Sequence, residues 1–248
     1  MKNNFSKILV LILSTLALVG GLQAGPGPSA DDVGDAGSFG HNVEYMGAAS
    51  GFITLSPACT PAPTPVPPAT ANNDQCFNLI PAPALTTWVA DDICRIKLPK
   101  KATRTIIYPA LNFFYDYELE NATATPATNA LFDYSATLSI ESDVLLDPSI
   151  IDPATGLPAN GKLVFQFGPN RVRDDRSMQP GDRARHRLTF ARVGNAGINK
   201  AQLVASGLSQ TVVDDLFKSA MTIRMNVRGS DRYVNFASIT CNMRLFGD

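Results

Sequence analysis

Two stretches of strict alternation constrain this chain more than anything else in it. Leu111, Phe113, Tyr115, Tyr117 and Leu119 fall on one face of an extended segment, with Asn112, Asp116, Glu118 and Glu120 on the other. Phe132, Tyr134, Ala136, Leu138, Ile140 and Val144 then oppose Asp133, Ser135, Thr137, Ser139, Glu141 and Asp143. A period of two sustained this long specifies strands with one buried face and one wet face. Shorter runs follow at Leu163-Phe165-Phe167, Leu188-Phe190, Met221-Ile223-Met225-Val227 and Ile239-Cys241-Met243-Leu245. Turn chemistry separates them at Asp152-Pro153-Ala154-Thr155-Gly156, Asn160-Gly161, Gly168-Pro169-Asn170, Pro180-Gly181-Asp182 and Gly229-Ser230-Asp231. One interruption has helical spacing: Ser209 can cap a turn carrying Val212, Val213, Leu216 and Phe217, and Asn199 can cap a shorter one through Leu203. The expected fold is all-β, a two-sheet antiparallel sandwich of jelly-roll type with a short helical cap. An immunoglobulin-like topology is the second choice. An outer-membrane barrel fits less well, because several runs are short and a cysteine sits on the apolar face of the last one.

The segments before residue 85 are built differently. Lys2 and Lys7, an apolar core from Ile8 to Val19, and Leu22-Gln23-Ala24 have the layout of a cleavable signal peptide at 1–24. The run from Ile8 to Leu22 is 15 residues long, short of the roughly 20 that a membrane span needs. Residues 25–84 form an acidic Gly/Pro-rich arm with five acids and no Lys or Arg. Within it, 25–40 has little to bury, Val43–Met46 and Gly51–Leu55 offer one or two short strands, and 57–83 holds eight prolines. Proline donates no ladder hydrogen bond, so that last stretch is an extended spacer. The sandwich domain is then expected over 85–248. Without the leader, 19 basic residues stand against 22 acidic, a net charge of −3. That balance gives no bulk attraction to nucleic acid or to an anionic membrane.

Export carries a redox consequence. Four cysteines in such a chain are expected to be bridged. Cys59 and Cys76 bracket the proline run. Cys94 shares a face with Ile96 and Leu98, and Cys241 with Ile239 and Met243, so these two inward thiols form the second expected pair. No Cys-x-x-Cys clusters suggest a metal site.

Catalytic signals are sparse. The two histidines, His41 and His186, lie in the tail and between Arg185 and Arg187, and no Gly-x-Ser-x-Gly elbow is present. Asp116, Glu118 and Glu141 could act as glycosidase carboxylates, but each occupies a solvent-facing position where charge is ordinary. Structural calcium has two candidate clusters, Asp143, Asp147 and Asp152, and Asp174, Asp175 and Asp182, neither with EF-hand spacing. No cofactor is otherwise implied.

The most distinctive segment holds seven arginines and no lysine: Arg171, Arg173, Arg176, Arg183, Arg185, Arg187 and Arg192. Guanidinium forks suit carboxylate, sulfate and phosphate. Three functions remain open. The first expectation is a non-catalytic exported structural or surface protein that assembles with itself or another surface protein, through its N-terminal strand added to a neighbour's sheet edge. The second is a module binding acidic glycans through the arginine face. The third is a secreted hydrolase.

Overall fold

Each long alternating run becomes a strand whose apolar face is sealed. In the computed structural model, which describes residues 43–59, 70–72, 74–165, 171–193 and 197–248, the strands are β1 (Glu44–Ser56), β2 (Thr70–Asn72), β3 (Gln75–Asn78), β4 (Thr86–Leu98), β5 (Ile106–Glu120) and β6 (Ala127–Glu141). They continue with β7 (Lys162–Phe165), β8 (Arg171–Met178), β9 (Arg183–Val193), β10 (Ile198–Asn199), β11 (Met221–Arg232) and β12 (Val234–Gly247). Two helices, α1 (Lys200–Ala205) and α2 (Gln210–Lys218), precede β11. The leader, the 25–40 tail, His41, the central prolines and the Gly168-Pro169-Asn170 turn lie outside the described residues.

The strands form two sheets. The front sheet runs β9–β5–β12–β1–β3, with β10 pairing the start of β5. The back sheet runs β2–β4–β11–β6, and β7 and β8 divide the far edge of β6 between them. Successive long strands alternate between sheets except at β6 and β8, which are neighbours in the back: β4, β6, β8 and β11 are in the back, while β1, β5, β9 and β12 are in the front. The order β1-β12-β5-β9 facing β4-β11-β6-β8 is that of a jelly roll. The expected fold class is therefore observed.

Packing follows the alternation. Phe113, Tyr115, Leu119, Phe132, Leu138 and Ile140 are fully enclosed. Aromatic rings meet across the layers: Tyr115 and Tyr134 stand edge to face at 5.1 Å, and Tyr117 stacks on Phe132 at 4.0 Å. Asn199 and Ser209 cap α1 and α2 through Gln202 and Val212 N–H, as their positions suggested. Leu203, Val213, Leu216 and Phe217 then join the same core.

Four sequence expectations change. First, β1 pairs antiparallel with β12 from Glu44 to Leu55 and parallel with β3. Ile53 and Leu55, wholly buried, share the core with Ile239, so residue 85 marks a change of surface composition and not a domain boundary. The apolar run inside the arm is an interior strand, flanked by β12 and β3 with its apolar face in the core. Second, Gly229-Ser230-Asp231 is not a turn but part of β11. Gly229 is there for space: a Cβ would lie 2.3 Å from the Trp88 ring. Third, the chain leaves β6 at Ser142 for a single 3-10 turn, Asp143–Leu146, which buries Leu145 in place of Val144.

The fourth concerns the cysteines. Cys59 and Cys76 are bridged, with Cα atoms 5.6 Å apart. Cys94 and Cys241 both point into the core, as their faces required, but both are free. Burial pushes the Cys241 thiol up to about 12, and burial, helped by Cys241 and Asp92, also raises that of Cys94. Disulfide chemistry needs a thiolate, and this core suppresses it at both positions.

The layers come into close backbone contact where β4 bulges. Met225 pairs with Cys94 but Val227 with Ala90, leaving Asp91, Asp92 and Ile93 opposite Asn226 alone. Asp92 takes φ 57° at the bulge, and Asn226 Oδ1 accepts its N–H at 2.9 Å. The Ile93 carbonyl is thereby driven toward β1, where a Cβ on Gly51 would sit 2.0 Å from it.

A candidate anion-binding groove

The arginine segment is split by its own turn. Gln179–Asp182 carries the chain from the back sheet to the front, so β8 pairs β6 while β9 pairs β5. Asn121 fixes this corner: its carbonyl accepts Gly181 N–H, its N–H donates to Asp182, and its side chain donates to Met178 and Thr125. Arginines adjacent in sequence thus serve two opposite faces of the molecule.

On the front edge the arginines are neutralised. Arg185 grips Asp116 with two bonds of 2.8 and 2.7 Å, Arg187 reaches the same carboxylate at 3.1 Å, and Arg183 meets Glu120 at 2.6 Å. Hydrogen bonds from Arg185, then Arg187, hold the Asp116 carboxyl below its usual range. At the seam between the sheets, Arg176 is bidentate on Asp174. Tyr117 Oη donates to Asp174 at 2.9 Å, and His186 stacks on Tyr117 with Nε2 3.8 Å from Asp174. Such a cluster ties two strands of different sheets together. The side chain of Arg192 lies outside the described residues.

The back face is different. Arg171 is bidentate on Asp133, and Arg173 is shared between Asp175 at 2.7 Å and Asp133 at 3.7 Å. Beside them the register aligns Val89, Arg228, Ser135 and Arg171 across β4, β11, β6 and β8. The next outward row is Thr87, Ser230, Asp133 and Arg173. These rows enclose a groove of about 520 Å³, with Gly229 and Trp88 at its floor. Arg228 is exposed and has no ion-pair partner among the described residues. Arg228 and Arg171 therefore flank the Ser135 hydroxyl from strands one step either side of β6, roughly 10 Å apart at the backbone. Arg171 and Arg228 both line the groove, and Arg171 shares Asp133 with Arg173 at its rim.

Beneath the floor lies Asp231, 1% exposed. Its Oδ2 accepts the Trp88 indole N–H at 2.5 Å, while Oδ1 has no partner. Burial, opposed by the indole bond and helped by Asp133, raises this carboxyl to about 7.

The other candidates do not converge. Asp116 and Glu141 are engaged by arginines and Glu118 by Asn235, and His186 Nε2 has no hydrogen-bond partner. Asp147 and Asp152 bind their own turns, through Ser149 and through the Ala154 N–H, and Asp182 accepts from Gln179 N–H. Asp174 and Asp175 are taken by arginines. Among the described residues no group of three or more His, Cys, Asp or Glu is placed to hold a metal. Of the groove, the sequence had pointed to Arg171. It missed Arg228 and Asp231, whose Gly-Ser-Asp neighbourhood looked like a turn; Arg228 fell on the polar side of the Met221–Val227 alternation, which was the available signal. No described helix is long and apolar enough to cross a membrane. Comparison with known protein families, with characterised proteins and with solved structures finds no match for this chain.

Proposed function

We propose that this chain is an exported, non-catalytic jelly-roll module that binds an acidic glycan in the back-sheet groove. The observation that carries the reading is the row Val89–Arg228–Ser135–Arg171, in which a guanidinium without a carboxylate partner faces a second one across a hydroxyl. A carboxylate or sulfate on a sugar matches that spacing of donors, and the Val89 wall gives the pyranose ring an apolar side. Export rests on the 1–24 leader pattern and on the Cys59–Cys76 bridge, which belongs in an oxidising compartment. Assembly by donating the N-terminal strand to a neighbour loses its motivation, because β1 spends that strand on its own β12.

Affinity electrophoresis in gels containing polygalacturonate or dextran sulfate tests the reading and separates carboxylate from sulfate. The expected result is retardation that weakens with salt and falls about tenfold in Arg228→Ala, one charged hydrogen bond being worth about that much. Migration unaffected by either polymer, or unchanged by Arg228→Ala, would overturn it.

A further inference from the structure

The outward face of the front sheet is built differently from the groove. Its register sets Phe52, Thr240, Phe114 and Thr189 in one row across β1, β12, β5 and β9. Tyr45, Phe246 and Tyr108 form another row toward the opposite end of the same strands. Between them lie Ser50, Asn242, Asn112 and Ala191, then Ala48, Arg244 and Ala110. Tyr45 is 62% exposed, Phe114 42% and Phe52 37%. These are large apolar side chains left in water on a β face that carries Arg244 as its one charge between the two aromatic rows. The amides of Asn112 and Asn242, paired across β5 and β12, make no hydrogen bond among the described residues.

Dimensions and charge narrow the occupant. Tyr108 and Phe114 are six residues apart on β5, roughly 20 Å, and the four strands span roughly 14 Å. The patch is therefore on the order of 300 Å², well under the roughly 800 Å² per partner of a stable protein interface. A second copy docked here would also bury the Asn112 and Asn242 amides without assured partners, which is costly. A nucleic acid needs several cations to neutralise phosphates, and the patch supplies one. An uncharged sugar polymer meets all three conditions. Its ring C–H faces cover aromatic rings, its hydroxyls both donate to and accept from side-chain amides and the Thr240 hydroxyl, and it brings no charge.

We propose that the front face is a second binding surface, for an extended uncharged polysaccharide of the β-1,4-linked type, whose sugar rings lie over Phe114, Phe52 and Tyr45 and whose hydroxyls bond Asn112 and Asn242. This surface is independent of the groove, and the chain would hold a neutral polymer on one side and an acidic group on the other.

The test is retention of the full chain on microcrystalline cellulose and on chitin in 1 M salt, where charge interactions are screened beyond about 3 Å and the groove is silenced. Retention of the wild-type chain on at least one polymer is expected, with a loss of at least tenfold in Phe52→Ala/Phe114→Ala and in Asn112→Ala, and no change in Arg228→Ala. Phe114→Leu keeps apolar bulk while removing the ring, so it distinguishes lost stacking from lost folding; it should also weaken retention while melting like the wild type. Failure of the wild type to bind either polymer, or equal retention by the ring-deleted variants, overturns the proposal. A concentration-dependent dimer abolished by Phe114→Leu would overturn it too, by making the face a contact between copies.

Discussion

The two outward faces of this jelly roll are built on the same alternation and both carry arginine–carboxylate pairs at the β8–β9 edge, yet their middles differ in chemistry. Outward positions of the back sheet carry Arg95, Lys97, Arg171, Arg173, Arg224, Arg228 and Arg232, interleaved with Asp91, Asp133, Asp175 and Glu141. Outward positions in the middle of the front sheet are aromatic, amide, hydroxyl and alanine, with Arg244 alone charged. The inward positions of both sheets are interchangeable in kind: Ile, Leu, Phe, Tyr, Met and Cys. What sits inside therefore states only that the strands are strands. What sits outside differs between the two faces, although the same chain segments feed both.

Gly51 is where the separation of the two faces is set, and it offers the harshest way to break the comparison. Its missing Cβ lets the Ile93 carbonyl of the β4 bulge approach β1. A methyl group there meets backbone and not a movable side-chain tip, so Gly51→Ala must push the layers apart or shift the bulge. The expected cost is about 3 kcal/mol or more, the range for forced overpacking of a tight core, read by urea denaturation. Gly156→Ala is the control for backbone strain alone, since Gly156 has φ 70° but nothing within 4 Å of a Cβ. A Gly51→Ala variant no less stable than Gly156→Ala would show that the layers are not in contact there.

The second test concerns what lies under the charged face. Asp231 titrates near 7 in the folded chain against 3.8 for an ordinary aspartate. The folded state therefore keeps a proton that the unfolded chain gives up near pH 4. Stability contributed by that proton is complete below about pH 4, declines as pH rises from there to 7, and is gone above it. The ceiling on the change is on the order of 4 kcal/mol. Asp231→Asn keeps an acceptor for the Trp88 indole and removes the titration. It should melt like the wild type at pH 4 and higher than the wild type at pH 8. Equal melting of the two proteins at pH 8 would mean that Asp231 finds a partner for its charge.

These residues also show how far the sequence could be read. The sandwich, the two helix caps and the Cys59–Cys76 bridge were legible because each depends on spacing within a short window. The inward direction of Cys94 and Cys241 was legible for the same reason, but their bonding was not, since thiolate formation depends on the enclosure made by both sheets. The grouping of seven arginines misled for a topological reason. A run that looks like one surface crosses from sheet to sheet at Pro180-Gly181-Asp182; Arg173 and Arg176 meet acids on their own strand, while Arg171, Arg183, Arg185 and Arg187 meet acids of β5 and β6 that lie 38 to 71 positions away. Arg228, the groove cation without an ion-pair partner among the described residues, belonged to a different segment altogether.

The mildest prediction separates the two halves of that arginine run. Arg185 and Arg187 share Asp116 on the front edge, with half or more of each arginine side chain exposed. Solvent-exposed pairs contribute little to stability because water and salt screen them. Arg185→Ala should leave the melting temperature almost unchanged and leave migration in polygalacturonate or dextran sulfate gels as it was. It should also let the Asp116 carboxyl rise toward the ordinary aspartate value, since the Arg185 hydrogen bonds are the largest influence lowering it, a change visible in its carboxyl carbon NMR titration. Asp116 would still be held by Arg187, so the rise is partial. If Arg185→Ala weakened acidic-polymer binding as much as Arg228→Ala does, the two faces would be acting as one anion surface wrapped around the β8–β9 corner, and the division between the open back-sheet groove and the self-neutralised front edge would fail.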